Sequence, residues 1–161
     1  MLRPALRRLV LVLHVGVSVG WLGAVAASLA LGVTGLVATG PGVVRGAYLL
    51  LEPVGWALLV PLSVAGLATG LVLSLGTRWG LLRHYWVLFK LLINLVATGV
   101  LLLYMRTLSA VAAMAGDPAT SLDDLRTPSP VVHAAGALVL LVVALALSVY
   151  KPRGRILILA S

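Results

Sequence analysis

The sequence contains no cysteine, so disulfide bonds, thiolate metal sites and cysteine nucleophiles are all excluded. Acidic residues are almost as scarce, because 4 Asp and Glu stand against 12 Lys and Arg, and only 10% of the chain is charged. A soluble domain is typically about 25% charged and about 45–50% apolar. With 61% hydrophobic residues and a mean hydropathy of +1.15, this chain of 161 residues could not cover itself with polar surface in water. The shortage of charge predicts a protein whose solvent is lipid.

Several motifs of soluble chemistry are also missing. The sequence has no Gly-rich phosphate loop, no paired carboxylates at catalytic spacing and no nucleophile elbow. The net charge of +8 does not indicate nucleic acid, because the basic residues lie at the ends of apolar runs and form no stripe with interleaved aromatics. Such residues are better interpreted as topology signals and as contacts for anionic lipid head groups. The lipid bilayer is therefore the predicted partner.

Four apolar runs are each long enough to cross a membrane, which takes about 20 residues. We predict spans over residues 9–36, 48–75, 85–105 and 131–150, with an extension of the third towards Ala113 left open. Turn residues or charges separate the runs. The predicted fold is all-α: a single domain over residues 1–161 that forms an up-down four-helix transmembrane bundle.

Orientation is predicted from the Lys and Arg residues near the span ends, which are enriched on the cytoplasmic side. The side with both termini and the link between spans two and three carries Arg3, Arg7, Arg8, Arg78, Arg83, Lys151, Arg153 and Arg155. The opposite side carries only Arg45, Arg106 and Arg126. We therefore expect both termini in the cytoplasm.

Small residues recur at four-residue intervals along the first span and form a ridge where another helix can approach closely. The ridge comprises Gly16, Gly20, Ala24, Ser28 and Gly32. It suits packing within the bundle and also a homo-oligomer, and the sequence leaves the choice open.

Two local features are predicted from proline and capping patterns. Pro53 and Pro61 each remove a backbone donor and should bend the second span. In the polar loop after the third span, Ser121 and Asp124 have the spacing of a capping box. A short surface helix and an irregular loop both fit that segment.

Lys90 is a lysine inside a predicted span, where an ionisable group costs about 2.5–3.5 kcal/mol on insertion scales. It shares a helical face with Asn94, which cannot extend to the membrane surface as a lysine can, so this face should look into the bundle. The alternative, that Lys90 snorkels to the interface, stays open. The face comprises Trp86, Lys90, Asn94, Ala97, Leu101 and Tyr104.

His14 lies about a turn and a half into the first span, on a face with Ser18 and Trp21. At about 1.5 Å per residue, His14 and Lys90 lie at similar depth from the same end of the bundle. A neutral imidazole inside a helix bundle is a common metal or haem ligand. A histidine that is only hydrogen-bonded to a neighbouring helix is an equally good interpretation.

Two further histidines lie near span ends. His133 begins the fourth span at the level of Glu52 and Arg106, where we favour a salt-bridge layer, because one carboxylate and one imidazole make an incomplete metal site. A metal-binding or proton-relay cluster is the alternative there. His84 precedes Tyr85 and should be part of an interfacial aromatic anchor, with a contact to a haem propionate as the alternative.

A resemblance to a known superfamily rests on two stretches. His14 followed by Trp21-Leu22-Gly23, and residues 79–92, WGLLRHYWVLFKLL, which place Lys90 in the third span, resemble the CopD-like superfamily of four-span membrane proteins. That superfamily includes copper-resistance membrane domains and HemJ-type protoporphyrinogen oxidases. The chain is most similar to an uncharacterised family of small actinobacterial integral membrane proteins, which implies a bacterial cytoplasmic (inner) membrane.

The resemblance implies haem b as cofactor, with His14 as an axial ligand of the iron and Lys90 as a functional partner. Asn94, Trp21 and His84 are the further candidate residues of that site. The first span has no second histidine, unlike HemJ-type proteins, and this argues against bis-histidine ligation and against the oxidase activity.

Three functional hypotheses follow. The first is a haem-binding or otherwise redox-linked bundle, for which the sequence assigns no reaction. The second is a non-enzymatic subunit or scaffold whose polar residues only lock helices together. The third, copper handling, is weakened because only three methionines and no cysteine are present to bind Cu(I).

Overall fold

The structure is a computed structural model that describes residues 2–76 and 84–151. Within these residues the chain is all-α, as predicted, and a five-residue π-helical segment, Gly55–Leu59, joins the second helix to the third. The α-helices are α1 (Pro4–Val37), α2 (Pro41–Val54), α3 (Val60–Gly76), α4 (Tyr85–Gly116), α5 (Leu122–Leu125) and α6 (Ser129–Tyr150).

Four helical stretches are long and apolar enough to cross a membrane, with mean hydropathies between 2.1 and 2.5. Many of their apolar side chains point away from the bundle, and Val12, Leu103 and Val139 are 69%, 72% and 63% exposed. Such a surface is stable in lipid and not in water. The protein is therefore a multi-pass integral membrane protein. The four stretches are Pro4–Val37, Pro41–Gly76, Tyr85–Gly116 and Leu122–Tyr150.

The spans form an up-down bundle in which α1 packs on α2, α3 and α6, while α4 packs on α2, α3 and α6. We call the end where α1 begins and α3 ends the terminal side, since Leu2 N–H donates to the Gly76 carbonyl there. The opposite end, with the 117–128 segment, is the loop side. The cytoplasmic position of the terminal side stays a prediction, and four of the residues used for it, Arg78, Arg83, Arg153 and Arg155, lie outside the described residues.

The core lies in the middle and in the loop-side half of the bundle. The central cluster includes Trp21, Val25, Leu59 and Leu141. The loop-side cluster is formed by α2, α4 and α5, and its members are Val44, Tyr48, Leu51, Met105, Leu108, Val111, Ala115 and Leu125. By contrast, α1 has no buried residue before Trp21. Burial along α1 is therefore uneven, because it begins only in the middle of the bundle.

The ridge of small residues on α1 packs largely within the chain. Ala24 and Ser28 are buried. A Cβ atom at Gly32 would lie 3.3 Å from Pro130 of α6, and one at Gly20 would lie 3.6 Å from Leu62 of α3. Only Gly16 of the ridge faces open space. Homo-oligomerisation through this ridge stays a prediction, for which Gly16 is the part left open to a second copy.

The π-helical segment lies between Pro53 and Pro61, where the sequence predicts an irregular span. Each proline lacks a backbone N–H and leaves a carbonyl without its helical donor. The Val60 N–H donates to the Gly55 carbonyl five residues back. Gly55 also lets Met105 approach, since a Cβ there would lie 2.7 Å from the methionine Sδ.

The capping prediction in the 117–128 segment is confirmed. Ser121 is the N-cap of α5, and its Oγ accepts a hydrogen bond of 3.1 Å from the Asp124 N–H. The Ser121 hydroxyl also donates to the Asp124 carboxylate at 2.6 Å. Leu125 of this short helix is 1% exposed and completes the loop-side cluster.

Candidate functional site

His14 lies between α1 and α3, where its imidazole is half-buried. Its Nδ1 is 2.9 Å from Thr69 Oγ1. The ring fits there because the opposite residue is a glycine: a Cβ at Gly70 would lie 3.3 Å from His14 Cε1. The small residues of α3 thus make room for the histidine, and the threonine holds its orientation.

The hydrogen bonds of Thr69 favour one tautomer of His14. The Thr69 hydroxyl has one hydrogen and lies 2.7 Å from the Ala65 carbonyl. When the hydroxyl donates to that carbonyl, its oxygen accepts from His14 Nδ1–H. The neutral imidazole consequently keeps the lone pair on Nε2, which is the atom available to a ligand.

Lys90 lies on the inward face of α4, as predicted, and reaches across to α6. Its Nζ donates a 3.0 Å hydrogen bond to Ser148 Oγ, whose own hydrogen goes to the Ala144 carbonyl. The ammonium group also lies 4.7 Å from the centroid of the Trp86 ring, which is cation–π distance. The lysine therefore binds groups inside the bundle, and these contacts favour the inward-facing interpretation over snorkelling.

Two polar atoms on the same face of α4 have no partner among the described residues. They are Asn94 Oδ1 and Thr98 Oγ1, both of which are buried. With Lys90 they form a stripe at four-residue spacing that runs from the terminal side to the middle of the bundle. Buried polar atoms are nearly always hydrogen-bonded, so each of these two has the capacity for a further hydrogen bond.

Four of the five predicted site residues lie towards the terminal side of the bundle, and the fifth, Trp21, lies in its centre. His14, Lys90 and Asn94 all lie in the terminal-side half, although the described hydrogen bonds join His14 to α3 and Lys90 to α6 and none joins the two directly. His84 is the N-cap of α4, with its ring centroid 6.3 Å from that of Trp86. We use the name terminal-side polar cluster for five polar residues that share this half of the bundle, without a described contact between those of α1 and α3 and those of α4: His14, Thr69, Lys90, Asn94 and Thr98.

Trp21 is the predicted site residue that lies outside this cluster. It is 3% exposed in the central core, seven residues beyond His14, or about 10 Å along the axis. It lines a cavity in the loop-side half of the bundle. Its place is therefore in the core, and a role beside the ligand of His14 stays a prediction.

The predicted association of Glu52 with His133 or Arg106 is not found. Glu52 Oε1 instead accepts a 2.5 Å hydrogen bond from Ser109 of α4. The His133 ring stacks on Tyr104, with centroids 3.8 Å apart and planes inclined by 14°. Serine and tyrosine groups were nearer than the charged partners that the sequence suggested, because helix register, which periodicity does not fix, sets these contacts.

Thr69 and Ser148 are functional candidates that we did not predict. Each is a hydroxyl residue within an apolar run, on a different span from the group it binds. Thr69 follows Gly66 and precedes Gly70, a small-residue stretch that permits close approach by a histidine of similar depth. The depth of Thr69 in the membrane and its small neighbours were the features of the sequence that could have identified it as a partner of His14.

Protein-only metal sites require several ligands at one place. Within residues 2–76 and 84–151, no three His, Cys, Asp or Glu side chains form such a group. Haem differs, because the porphyrin supplies four nitrogens and the protein needs to add only an axial donor. The chain matches no protein-family model, no curated protein and no solved structure.

Proposed function

We propose that this integral membrane protein binds haem b at the terminal-side polar cluster and takes part in a redox-linked reaction. The observation that carries the proposal is the 2.9 Å hydrogen bond between His14 Nδ1 and Thr69 Oγ1, because a donor Nδ1–H leaves the lone pair of the neutral ring on Nε2. Histidines that bind metals typically donate their other N–H to a fixed acceptor, which sets the tautomer and the ring orientation. His14 would therefore hold the haem iron through Nε2.

The remaining groups of the cluster suit the polar parts of a porphyrin. Lys90 Nζ uses one hydrogen on Ser148 and has two more to give, so its ammonium group would pair with a propionate carboxylate. Asn94 and Thr98 offer buried polar atoms that lack partners in the described chain. Haem, when bound, supplies one-electron chemistry, while these side chains bind and orient it.

The test is an absorption spectrum of protein produced with added haem precursor and purified in mild detergent. We expect a Soret band from the wild type, strongly weakened by His14→Ala and perturbed less by Lys90→Met. His133→Ala is the matched control, because that histidine also has a free Nε2 but lies in the other half of the bundle. A wild type that takes up no haem, or equal loss in both histidine variants, would refute the proposal.

A structural scaffold is the second candidate function, favoured by a different observation. Hydrogen bonds join spans in pairs: His14 to Thr69, Lys90 to Ser148, and Glu52 to Ser109. In a scaffold these bonds would only fix helix positions, each contributing about 0.6 kcal/mol. The same variants would then lower the thermal stability of the protein without any spectral counterpart. Asn94 Oδ1, without a described partner, fits this hypothesis less well.

A further inference from the structure

An apolar cavity lies in the loop-side half of the bundle, remote from His14. Its volume is about 110 Å³. Small side chains from α4 and α6 create it, because Ala97, Ala134 and Ala137 stand where larger residues would fill the space between these helices. The walls also include Trp21, Leu59 and Leu101. An apolar cavity of about 150 Å³ holds a benzene molecule, so this space is of the scale of a hydrocarbon segment.

The cavity reaches the membrane-facing surface between α4 and α6. Val100 and Leu140 both line it and are 48% and 36% exposed. In a bilayer this opening faces lipid chains. An apolar space that stays empty loses the dispersion contacts of its walls, whereas a hydrocarbon chain that enters from the side restores them.

The walls of the cavity are almost entirely apolar, and two polar side chains lie at its loop-side end. His133 and Tyr104 line it as a stacked pair. The Tyr104 hydroxyl is 3.0 Å from Ser129 Oγ, and His133 Nδ1 is 2.9 Å from the Ser129 carbonyl oxygen. Ser129 is the first residue of α6, so this pair lies near the loop-side end of the bundle, where a lipid head group would be.

The Ser129 carbonyl fixes the tautomer of His133. A carbonyl oxygen can only accept, so Nδ1 must carry a hydrogen, and the neutral ring keeps its lone pair on Nε2. No described residue donates to Nε2. His133 lines the cavity and is exposed, so its Nε2 is an unused hydrogen-bond acceptor beside the apolar walls. A ligand that satisfies both features has an O–H or N–H group at the end of a hydrocarbon chain.

We propose that this cavity binds a membrane amphiphile with a hydroxyl head group, whose single hydrocarbon chain enters between α4 and α6. The hydroxyl donates to His133 Nε2 and the chain extends towards Trp21. Long-chain alcohols, protonated fatty acids and isoprenoid quinols share this chemistry. The site uses none of the terminal-side polar cluster, so it is independent of haem binding.

The experiment uses the full-length protein in phosphatidylcholine vesicles that contain a long-chain alcohol with a photoreactive diazirine in its chain. After irradiation, mass spectrometry of the digested protein locates the label. We expect labelling at Val100, Ala137 or Leu140. Ala137→Phe, which fills the cavity, should reduce labelling at least fivefold. Val139→Phe is the control, since Val139 lies on the same helix and is 63% exposed to lipid.

Head-group recognition is tested with the methyl ether of the same probe, which cannot donate a hydrogen bond. The wild type should prefer the alcohol about two- to tenfold, the ratio that corresponds to one hydrogen bond of about 0.5–1.5 kcal/mol. His133→Phe keeps an aromatic ring against Tyr104 but removes the acceptor, so the preference should vanish. Equal labelling by alcohol and ether in the wild type would overturn the proposal.

A second cavity-filling variant and a competition experiment complete the test. If Ala137→Phe does not fold, Ala134→Val adds volume to the same wall and should still lower labelling. Competition by an isoprenoid quinol and by an unbranched alcohol distinguishes the sources of the ligand, because the better-fitting one displaces the probe at lower concentration. Displacement by either supports the shared chemistry, and displacement by neither refutes it.

Discussion

On the loop side, two arginines each bind two or three backbone carbonyls at helix ends, whereas on the terminal side His14 and Lys90 each form a hydrogen bond with a hydroxyl group of another helix. Arg45 donates to the carbonyls of Ala115, Asp117 and Thr120, and Arg126 donates to those of Leu36 and Ala38. A cation beside helix carbonyls also interacts favourably with the helix dipole. The arginines thereby close the C-terminal ends of α4 and α1.

The buried clusters follow the same division. Tyr48 is fully buried on the loop side, and its hydroxyl both donates to the Thr127 carbonyl and accepts from the Thr127 N–H. On the terminal side, the first 17 residues of α1, Pro4–Gly20, contain no buried side chain. On the loop side the interior is therefore formed by fully buried side chains, whereas on the terminal side α1 contributes only side chains that are at least partly exposed.

The largest expected difference between the two ends is the compartment they face. Because the chain has no cysteine, single cysteines report accessibility without background. The distribution of basic residues predicts that Ala119→Cys on the loop side reacts with a membrane-impermeant maleimide in intact bacterial cells, while Ala5→Cys reacts only after lysis. The reverse pattern would show that the terminal side is external.

How much of this arrangement was predictable depends on the type of contact. The four spans and the inward face of α4 follow from hydropathy and from helical periodicity, which are properties of single segments. The roles of Arg45 and Arg126 do not, because the sequence presents them only as basic residues on the less basic side. Their partners are carbonyl groups of distant segments, and backbone acceptors leave no trace in the sequence.

In the candidate site, too, the ionisable residues could be predicted from the sequence and their hydrogen-bond partners could not. His14 and Lys90 are conspicuous because they are ionisable groups inside apolar runs. Their partners Thr69 and Ser148 are ordinary residues of transmembrane helices, and the rotation of one span against the next decides whether such hydroxyls face a histidine or lipid. That rotation depends on packing across all four spans.

A second prediction compares glycines from the two halves of α1. A Cβ at Gly35 would lie 2.8 Å from the ring of the buried Tyr48, whereas Gly16 has nothing within 4 Å. Gly35→Ala should destabilise the protein by about 2–3 kcal/mol through overpacking. Gly16→Ala should be neutral or stabilise it by up to about 1 kcal/mol through helix propensity. Thermal unfolding in one detergent measures both, and similar effects would contradict the uneven burial along α1.

A third prediction separates the arginine that binds helix ends from one that does not. Arg126→Met removes the donors to Leu36 and Ala38 and should cost about 1.5–3 kcal/mol, the range for a hydrogen bond that involves a charged group. Arg106→Met is the control, since Arg106 is exposed and has no described hydrogen bond. Denaturation by a graded detergent mixture gives the difference. Equal stability of the two variants would mean that the loop-side carbonyls are satisfied by water.

The smallest expected effect concerns the hydrogen bond that orients His14. Thr69→Val keeps the shape of the side chain and removes the hydroxyl, so His14 Nδ1 loses its acceptor. Interhelical hydrogen bonds in membranes average about 0.6 kcal/mol, and the loss of stability without ligand should be of that size. The affinity for haem should fall by more, because loss of the group that orients a metal-binding histidine typically lowers metal affinity about 10–100-fold. Haem titration of the wild type and of Thr69→Val measures the ratio of their affinities.

Thr98→Val is the matched control for this comparison, because it removes a threonine hydroxyl from the interior of a neighbouring span. Thr98 Oγ1 is buried and has no described partner, so its removal from the ligand-free protein should be neutral or slightly stabilising. With haem added, Thr98→Val should weaken binding less than Thr69→Val, since Thr98 does not orient the axial ligand. Thr69→Val could instead lower stability and leave haem affinity unchanged. The hydrogen bond to His14 would then serve only to hold α1 against α3, and the terminal side would stabilise the fold without being a ligand site.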